Sequence, residues 1–232
     1  YYRDLRGRKR TGLKTPFNEF YADDIFREFP DASFIHVIRN PLDTATSFKK
    51  VKETKWGGRT RYYKHIYQWK QSAEIALNNT QKYAGNYFVL KYEDIVNKPL
   101  ESIKACCDFL HMDYDESMLK MDGHIGWKGD NSSFAEEKSG PLIFANSIGR
   151  YKKALPSKII NRYNVLLEGL LEKFDYADHD SKNRHGFYVR LCYRFSLAWI
   201  ILSEKLLLAV QRSCLYSPLK RLQRFTGNSP AR

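Results

Sequence analysis

The spacing of apolar residues along the first hundred positions predicts helices that alternate with strands. Apolar side chains recur at every fourth position from Phe17 to Phe29, which predicts an amphipathic helix. Thr15 is expected as its N-cap and Pro16 as its first helical residue. The next run, residues 33–39 (SFIHVIR), is β-branched and aromatic at successive positions. Such a run is typical of a strand that is buried on both faces in a parallel sheet.

The same alternation continues further along the chain. Asn40 followed by Pro41 is a helix-start signature, and the apolar pattern predicts a long helix over residues 61–82. A second buried strand is predicted at residues 87–92 (YFVLKY), after which Pro99 opens another helix. This order of elements indicates an α/β fold in which helical crossovers join parallel strands.

The C-terminal part has a different pattern. Residues 122–141 are rich in Gly, Ser, Asn and Asp and predict a long loop, and a last helix closes the globular part near Tyr176. Residues 187–212 are strongly apolar, but charged residues interrupt them. The longest run without a charge is therefore too short to span a bilayer. The segment suits either a helix lying on an anionic membrane or one docked on the domain. We therefore expect a domain over residues 1–176 and a basic, apolar-rich helical extension over residues 177–232.

Charge and cysteine content narrow the class of protein. The 232 residues carry 39 lysines and arginines against 26 acidic residues, a net charge of +13 that favours anionic partners. Nucleic acid is not expected, because no helix-turn-helix, RNA-recognition or OB-type signature is present. The four cysteines lack metal-type spacing and are read as reduced core thiols, which indicates a cytoplasmic protein. The six histidines form no ligand cluster, so no metal is expected.

The segment GRKRTGLKTP, residues 7–16, nearly matches the phosphate-binding pattern G-x-x-x-x-G-K-[ST]. Leu13 is an inserted residue that moves Lys14 out of register. The residues before it are also too polar for the central strand that such a loop follows. We therefore exclude a Walker A loop.

Arg39 and Ser47 form a stronger signal. Arg39 stands at the carboxyl end of a predicted buried strand, and Ser47 lies along the following helix. Ligands of open α/β sheets collect outside the carboxyl ends of strands, and a helix start there offers N–H groups to an anion. Arg39 is suited to bidentate phosphate binding, with the Ser47 hydroxyl as a second donor. A surface ion pair is the alternative role for Arg39, and the spacing alone leaves both open.

Four segments taken together resemble the cytosolic-type sulfotransferases, and more particularly their broad bacterial branch. In chain order they are KTP (14–16), FPDASFIHVIRNPLDTATSF (29–48), LKYEDIVNKP (90–99) and IGRYKKAL (148–155). The resemblance implies a P-loop-NTPase-like parallel sheet flanked by helices. It also implies an enzyme that transfers a sulfuryl group from 3′-phosphoadenylyl sulfate (PAPS), without a metal, to a hydroxyl or amine of a small-molecule or carbohydrate acceptor.

The resemblance assigns roles to individual residues. Arg39 and Ser47 match the family's ligands for the 3′-phosphate of the donor. Arg150, with Lys152 nearby, matches a later basic segment that closes over the same phosphate. Tyr92 heads a turn (YED) near the nucleotide, although a packed strand-end tyrosine explains it almost as well.

Lys14 matches the family's lysine that faces the sulfuryl group and the bridging oxygen. Negative charge builds on the leaving phosphate during transfer, so a cation held there stabilises the transition state. The resemblance assigns no single general base, because Leu13 stands where many relatives carry an acidic residue. Glu19 and His124 are the candidates, and a solvated helix residue and a loop residue without a role are the alternatives.

One family motif is missing from this sequence. A loop rich in Gly, Ser and Thr, which cradles the 5′-phosphosulfate, is expected well upstream of Lys14. Only 13 residues precede Lys14, and they contain no such loop. We therefore expect an N-terminally truncated domain. It is either part of a longer enzyme or a non-catalytic remnant that still binds an anion or a nucleotide.

Overall fold

The computed structural model of the chain describes residues 10–46, 61–119, 148–177 and 186–212. Two of the predicted site residues, Ser47 and His124, lie outside the described residues, as does the predicted loop at 122–141.

Two strands and eight α-helices make up the described part of the chain. In chain order they are α1 (Ala22–Glu28), β1 (Phe34–Ile38), α2 (Pro41–Ala45), α3 (Arg61–Lys82), β2 (Tyr87–Lys91), α4 (Tyr92–Asn97), α5 (Pro99–Leu110), α6 (Tyr151–Ala154), α7 (Ser157–Lys173) and α8 (Phe187–Arg212). Short 3₁₀ turns precede α1 at Asn18–Tyr21 and follow α5 at Glu116–Leu119. The order confirms the predicted α/β class, although the sheet is small and most of the described residues are helical.

The two strands pair in parallel, as predicted. Phe34 lies opposite Tyr87 and Ile38 lies opposite Lys91, so both strands end at the same level. α2 and α3 both lie in the crossover between them, and the chain turns into β2 at Gly85, whose φ of +87° favours glycine. The carboxyl ends of β1 and β2 therefore meet at one edge of the sheet.

The described residues fall into two compact units. The first comprises Tyr1–Thr44 and Gln71–Arg150, and the second comprises Ala45–Lys70 and Tyr151–Arg232. α3 contributes residues to both units. The predicted domain boundary after residue 176 is a different division and stays a prediction.

Stacked aromatic rings form the core of the first unit. Ala22, Phe26 and Tyr87 are buried together, and Phe34 and Tyr83 pack against them. The rings of Phe34 and Tyr87 stack across the strand pair with centroids 4.8 Å apart, and Phe26 stacks on Tyr83 at 4.1 Å. Offset aromatic pairs of this kind contribute about 0.5–1.5 kcal/mol beyond the area that they bury.

The prediction for the first helix was wrong in its start and in its buried face. α1 begins at Ala22, whereas the Thr15 hydroxyl donates to the side chain of Asn18 and caps no α-helix. Its buried residues are Ala22 and Phe26. Phe17 and Phe29, which mark the ends of the predicted apolar face, are exposed by 52% and 68%. The buried residues of α1 are therefore also four positions apart, as predicted, but each follows the predicted apolar residue by one position.

β1 is not buried on both faces, contrary to the prediction. His36 and Ile38 are buried, whereas Val37 points away from them and is 53% exposed. Successive side chains of a strand face opposite sides of the sheet, so this alternation means that one face of β1 is open around Val37.

α7 supplies much of the core of the second unit. Tyr163, Val165, Leu167 and Leu171 are buried along it, and Tyr163 is fully buried. The Tyr163 hydroxyl lies 2.8 Å from Nδ1 of His65 on α3. Burial raises the pKa of Tyr163 well above its usual range and lowers the pKa of His65 to about 4.

The helices predicted for the C-terminal part are confirmed as α7 and α8. Within the described ranges, none of the helices has the length and apolar character needed to cross a membrane. The expectation of core thiols holds for Cys107, which is buried, but not for Cys192 on α8, which is exposed. Cys214 lies outside the described residues.

We expect His65 to make the fold sensitive to acid. Its pKa is about 4 in the folded state and near 6.5 in the unfolded state, so only the unfolded state takes up a proton between these values. Stability is complete above pH 6.5 and falls by up to about 3 kcal/mol as the pH drops to about 4. Urea unfolding at pH 7 and pH 5 measures this loss.

His65→Gln is the test variant, since its amide still offers Tyr163 a hydrogen-bond partner but does not titrate. The variant should lose most of the difference between the two pH values. His111→Asn is the control, because His111 is exposed and its φ of 51° is one that Asn tolerates. An undiminished acid effect in His65→Gln would contradict the assignment.

Candidate functional site

The register of the two strands brings Arg39 and Tyr92 together. Ile38 and Lys91 are paired, so the next residue of each strand lies at the same carboxyl edge. Tyr92 is the first residue of α4, and the Arg39 guanidinium lies over its ring, 4.2 Å from the centroid. Stacking uses the face of the guanidinium, whereas its five N–H donors point outward in its plane. This geometry orients Arg39 for contacts along its edge.

The two residues that follow, Asn40 and Glu93, fasten the strand ends to each other. The backbone N–H of Asn40 donates to Glu93 Oε1 at 3.0 Å. The Asn40 side chain in turn accepts a hydrogen bond from the N–H of Leu42 at 2.9 Å, which confirms the predicted N-cap of α2. The N–H groups of Asn40 and Leu42 therefore have partners within the chain. The anion contact expected of this helix start stays a prediction.

A third segment reaches the same place from far along the chain. The backbone N–H of Gly149 donates to Oδ2 of Asp43 at 2.7 Å, across 106 residues of sequence. Asp43 is only 2% exposed, and Gly149 has a φ of +69°, a conformation that favours glycine. The residue after this anchor is Arg150, which is exposed. Gly149 therefore fixes the backbone that carries Arg150 beside the start of α2.

The edge of the sheet thus combines two arginines with a scaffold of polar groups. Arg39 and the Gly149–Arg150 segment approach it from different parts of the chain, and Glu93 and Asp43 hold the backbone by accepting N–H groups. Arginine binds phosphate and sulfate esters through paired charge-assisted hydrogen bonds. The arrangement is suited to holding a multiply charged anion.

Glu19, one of the two predicted bases, lies in a separate hydrogen-bonded network. Its carboxylate accepts from the Ser72 hydroxyl at 2.9 Å, and Ser72 Oγ lies 3.0 Å from Nε2 of His36. Nδ1 of His36 lies 2.7 Å from the Tyr87 hydroxyl. Because Ser72 gives its proton to Glu19, it accepts from Nε2–H, and Tyr87 donates to Nδ1. Glu19 is therefore a half-buried, anchored carboxylate rather than a solvated helix residue.

Burial sets the protonation of this network. It lowers the pKa of His36, against an opposing effect of the nearby Glu19 charge. It also raises the pKa of Tyr87 to about 12, although a hydrogen bond with Asn79 acts in the other direction. The imidazole therefore stays neutral and the phenol protonated at pH 7, which matches the hydrogen bonds just described.

The structure brings some of the predicted site residues together and leaves others apart. Arg39 and Tyr92 are in direct contact, and Arg150 is tied to the same edge through its neighbour Gly149. Lys14 is exposed in the irregular segment before the 3₁₀ turn at Asn18–Tyr21. Lys152 is exposed on α6, which belongs to the second unit.

Sequence reasoning missed three residues that organise this site: Glu93, Asp43 and Gly149. Asp43 lies in the quoted segment 29–48 and was given no functional role there, whereas its buried carboxylate accepts a hydrogen bond from the Gly149 N–H. Glu93 was quoted only as part of the YED turn. Two features of the quoted motifs could have indicated such roles. Glu93 is a carboxylate directly after the predicted second strand, and Gly149 is a glycine directly before an arginine.

In residues 10–46, 61–119, 148–177 and 186–212, no group of three or more His, Cys, Asp or Glu side chains is placed to hold a metal ion.

Comparison with solved structures supports the fold. A sulfotransferase domain from the curacin biosynthetic pathway superimposes with a TM-score of 0.52 at 19% identity, over 71% of this chain and 62% of that domain. A sulfotransferase domain from the olefin synthase of Synechococcus PCC 7002 gives a TM-score of 0.47 at 20% identity, over 71% of this chain and 58% of that chain. The first likeness shows that the chain shares the fold of a sulfotransferase domain.

Comparison of sequences identifies the family. A Caenorhabditis elegans protein that carries the provisional name protein-tyrosine sulfotransferase is 26% identical over 163 residues, which are 70% of this chain and 60% of that protein. The chain thus spans about 60% of the length of this relative. A profile described as "Sulfotransferase family" matches residues 1–116, half of the chain. The chain belongs to the sulfotransferase family.

Proposed function

We propose that this protein transfers a sulfuryl group from PAPS to a hydroxyl or amine. Family membership supports transferase chemistry. The observation that carries the proposal is the stacking of Arg39 on Tyr92 at the paired ends of β1 and β2, beside the Gly149 anchor. PAPS carries a 3′-phosphate, and an oriented guanidinium with a second arginine nearby is suited to bind it.

In this proposal the residues divide into those that bind and those that act on the reacting group. Arg39 and Arg150 bind the 3′-phosphate. Stacking on the Tyr92 ring fixes the orientation of the Arg39 guanidinium, so that its N–H donors face the phosphate. Ser47 and Lys152 retain the same role as predictions from the family resemblance. The donor supplies the activated sulfuryl group and a phosphate as leaving group.

Lys14 is proposed to stabilise the leaving group. Charge moves onto the phosphate as the bond to sulfur breaks, and a lysine ammonium close to the bridging oxygen lowers the energy of that state. A base must accept the proton of the acceptor, and Glu19 and His124 remain the candidates. The orientation of the Glu19 carboxylate is fixed, since the Ser72 hydroxyl donates a hydrogen bond to it.

The acceptor is proposed only as a chemical class. A hydroxyl or amine on a small molecule or a carbohydrate is expected, and the name of the C. elegans relative adds a protein tyrosine hydroxyl. A cytoplasmic location stays a prediction. The peripheral membrane contact expected of residues 187–212 does not depend on this chemistry and is proposed on its own evidence.

Arg39→Ala should weaken binding of adenosine 3′,5′-bisphosphate about a hundredfold or more, because two charge-assisted hydrogen bonds of about 1.5 kcal/mol or more each are lost. Calorimetric titration measures the affinity, with AMP as the ligand that lacks the 3′-phosphate. Arg27→Ala is the control, since Arg27 is an exposed arginine paired with Asp24 on α1. Unchanged affinity in Arg39→Ala would contradict the site.

Gly149→Ala should weaken binding of adenosine 3′,5′-bisphosphate about fivefold to thirtyfold. A left-handed conformation costs a non-glycine residue about 1–2 kcal/mol, so the backbone that carries Arg150 shifts away from Asp43. Gly85→Ala is a matched control, because Gly85 also has a positive φ and an added Cβ meets no atom within 4 Å at either position. Both variants lose similar stability, and only Gly149→Ala should lose affinity. Equal affinities in the two variants would reject the anchoring role.

Lys14→Ala should lower kcat about a hundredfold while donor affinity changes little, because the interaction forms mainly in the transition state. Transfer from labelled PAPS to a panel of phenols, sugars and amines measures turnover. Lys98→Ala is the control, since Lys98 is an exposed lysine of the first unit. A loss of affinity without a loss of kcat would assign Lys14 to binding only. Nucleotide binding without any turnover in the unsubstituted protein would identify a non-catalytic remnant.

A further inference from the structure

One face of α8 exposes a continuous stripe of large apolar side chains. Successive members are three or four residues apart, which places them on the same side of a helix with 3.6 residues per turn. The stripe consists of Tyr188, Leu191, Phe195, Trp199, Leu202 and Leu206. Their exposed fractions run from 37% at Leu191 to 81% at Tyr188. A run of this length on a protein surface marks an interaction site.

The opposite face of α8 is already in use. Arg190 forms an ion pair with Glu168 on α7 at 3.0 Å, and the Arg162 guanidinium of α7 lies 5.6 Å from the ring centroid of Tyr193. Leu197 and Ile200, which follow Tyr193 around the helix, are half-buried. These contacts lie within the second unit and fix the rotation of α8, so the apolar stripe faces away from α7.

Basic residues lie along one edge of the apolar stripe. Arg194 and Lys205 are exposed, and both lie about 100° around the helix from the centre of the stripe, at the same edge. Residues 181–232 contain ten lysines and arginines and one acidic residue, Glu204, a net charge of +9. Most of the +13 of the whole chain is therefore concentrated in this stretch.

This charge decides between the possible occupants of the stripe. A second copy of the chain would bring two strongly positive segments together across a twofold axis, which repels. An anionic lipid surface instead attracts the basic residues and accepts the aromatic side chains at the headgroup level. Trp and Tyr are enriched at that depth, and long Arg and Lys side chains extend from it towards the headgroups.

We propose that α8 lies in the plane of an anionic membrane, with the stripe from Tyr188 to Leu206 in the boundary between headgroups and acyl chains. Arg194 and Lys205 pair with lipid phosphates along one edge, and the face bearing Arg190 and Tyr193 stays packed on α7. Membrane contact of this kind holds a helix at the surface and requires no spanning segment. The proposal stands whether or not the chain transfers a sulfuryl group.

The first test is flotation of the full chain with vesicles of phosphatidylcholine alone or with about one-third phosphatidylserine. Binding is expected only to the anionic vesicles. It should fall as salt rises from about 0.1 M to about 1 M, because the Debye length shrinks from about 10 Å to about 3 Å. Equal binding to neutral vesicles, or binding to neither, would overturn the proposal.

Paired substitutions locate the contact. Phe195→Ser with Trp199→Ser should weaken vesicle binding about tenfold or more, since one fully buried aromatic side chain alone is worth about a factor of ten. Both side chains are largely exposed, at 66% and 72%, so folding should be little affected. Leu13→Ser with Phe29→Ser is the matched control, since these residues are exposed by 81% and 68% on the first unit.

A spectroscopic measurement reports on depth directly. Lipids brominated near the top of the acyl chain should quench the fluorescence of Trp199, and Trp199→Phe should bind the vesicles normally but lose that quenching. Trp69, the other tryptophan among the described residues, is buried and should not contribute. Undiminished quenching in Trp199→Phe, or sedimentation showing that the stripe pairs two copies, would reject the membrane assignment.

Discussion

The parallel register of β1 and β2 is the constraint on which the candidate site depends. Pairing of Ile38 with Lys91 places Arg39 and Tyr92 at the same edge, and the bond from Asn40 to Glu93 holds the two exits of the sheet together. A slip of one residue would turn every side chain of one strand to the other face. The aromatic stack of Phe34 on Tyr87, at the opposite end of the pair, favours the observed register.

The site is built on the first unit from contacts that span very different sequence distances. Leu42 bonds to Asn40 two residues away, Asn40 bonds to Glu93 across 53 residues, and Gly149 bonds to Asp43 across 106. Buried or half-buried carboxylates at both long-range contacts accept backbone N–H groups. Such bonds to a charged acceptor are stronger than neutral ones, so they order the loops on which the two arginines stand.

Sequence reasoning found the elements and the functional motifs more readily than the contacts. The strands, α3, α5, α7 and α8 follow from local periodicity and from turn residues such as Gly85, and these were predicted. The start of α1 and the open face at Val37 depend on which residues happen to pack against them, which periodicity does not encode. The bond from Gly149 to Asp43 is likewise invisible from spacing, because nothing local relates residues 106 positions apart.

The contacts of α8 reconcile two interpretations that its sequence pattern leaves open. Its sequence is apolar around much of the helix, with charges interspersed, and this pattern suits both a docked helix and an interfacial one. The contacts of Arg190 and Tyr193 with α7 show that one face is docked. Docking on α7 buries only that face and fixes the rotation of the helix. The aromatic face therefore stays exposed and is available for a different contact. The two readings are therefore compatible, since each describes one side of the same helix.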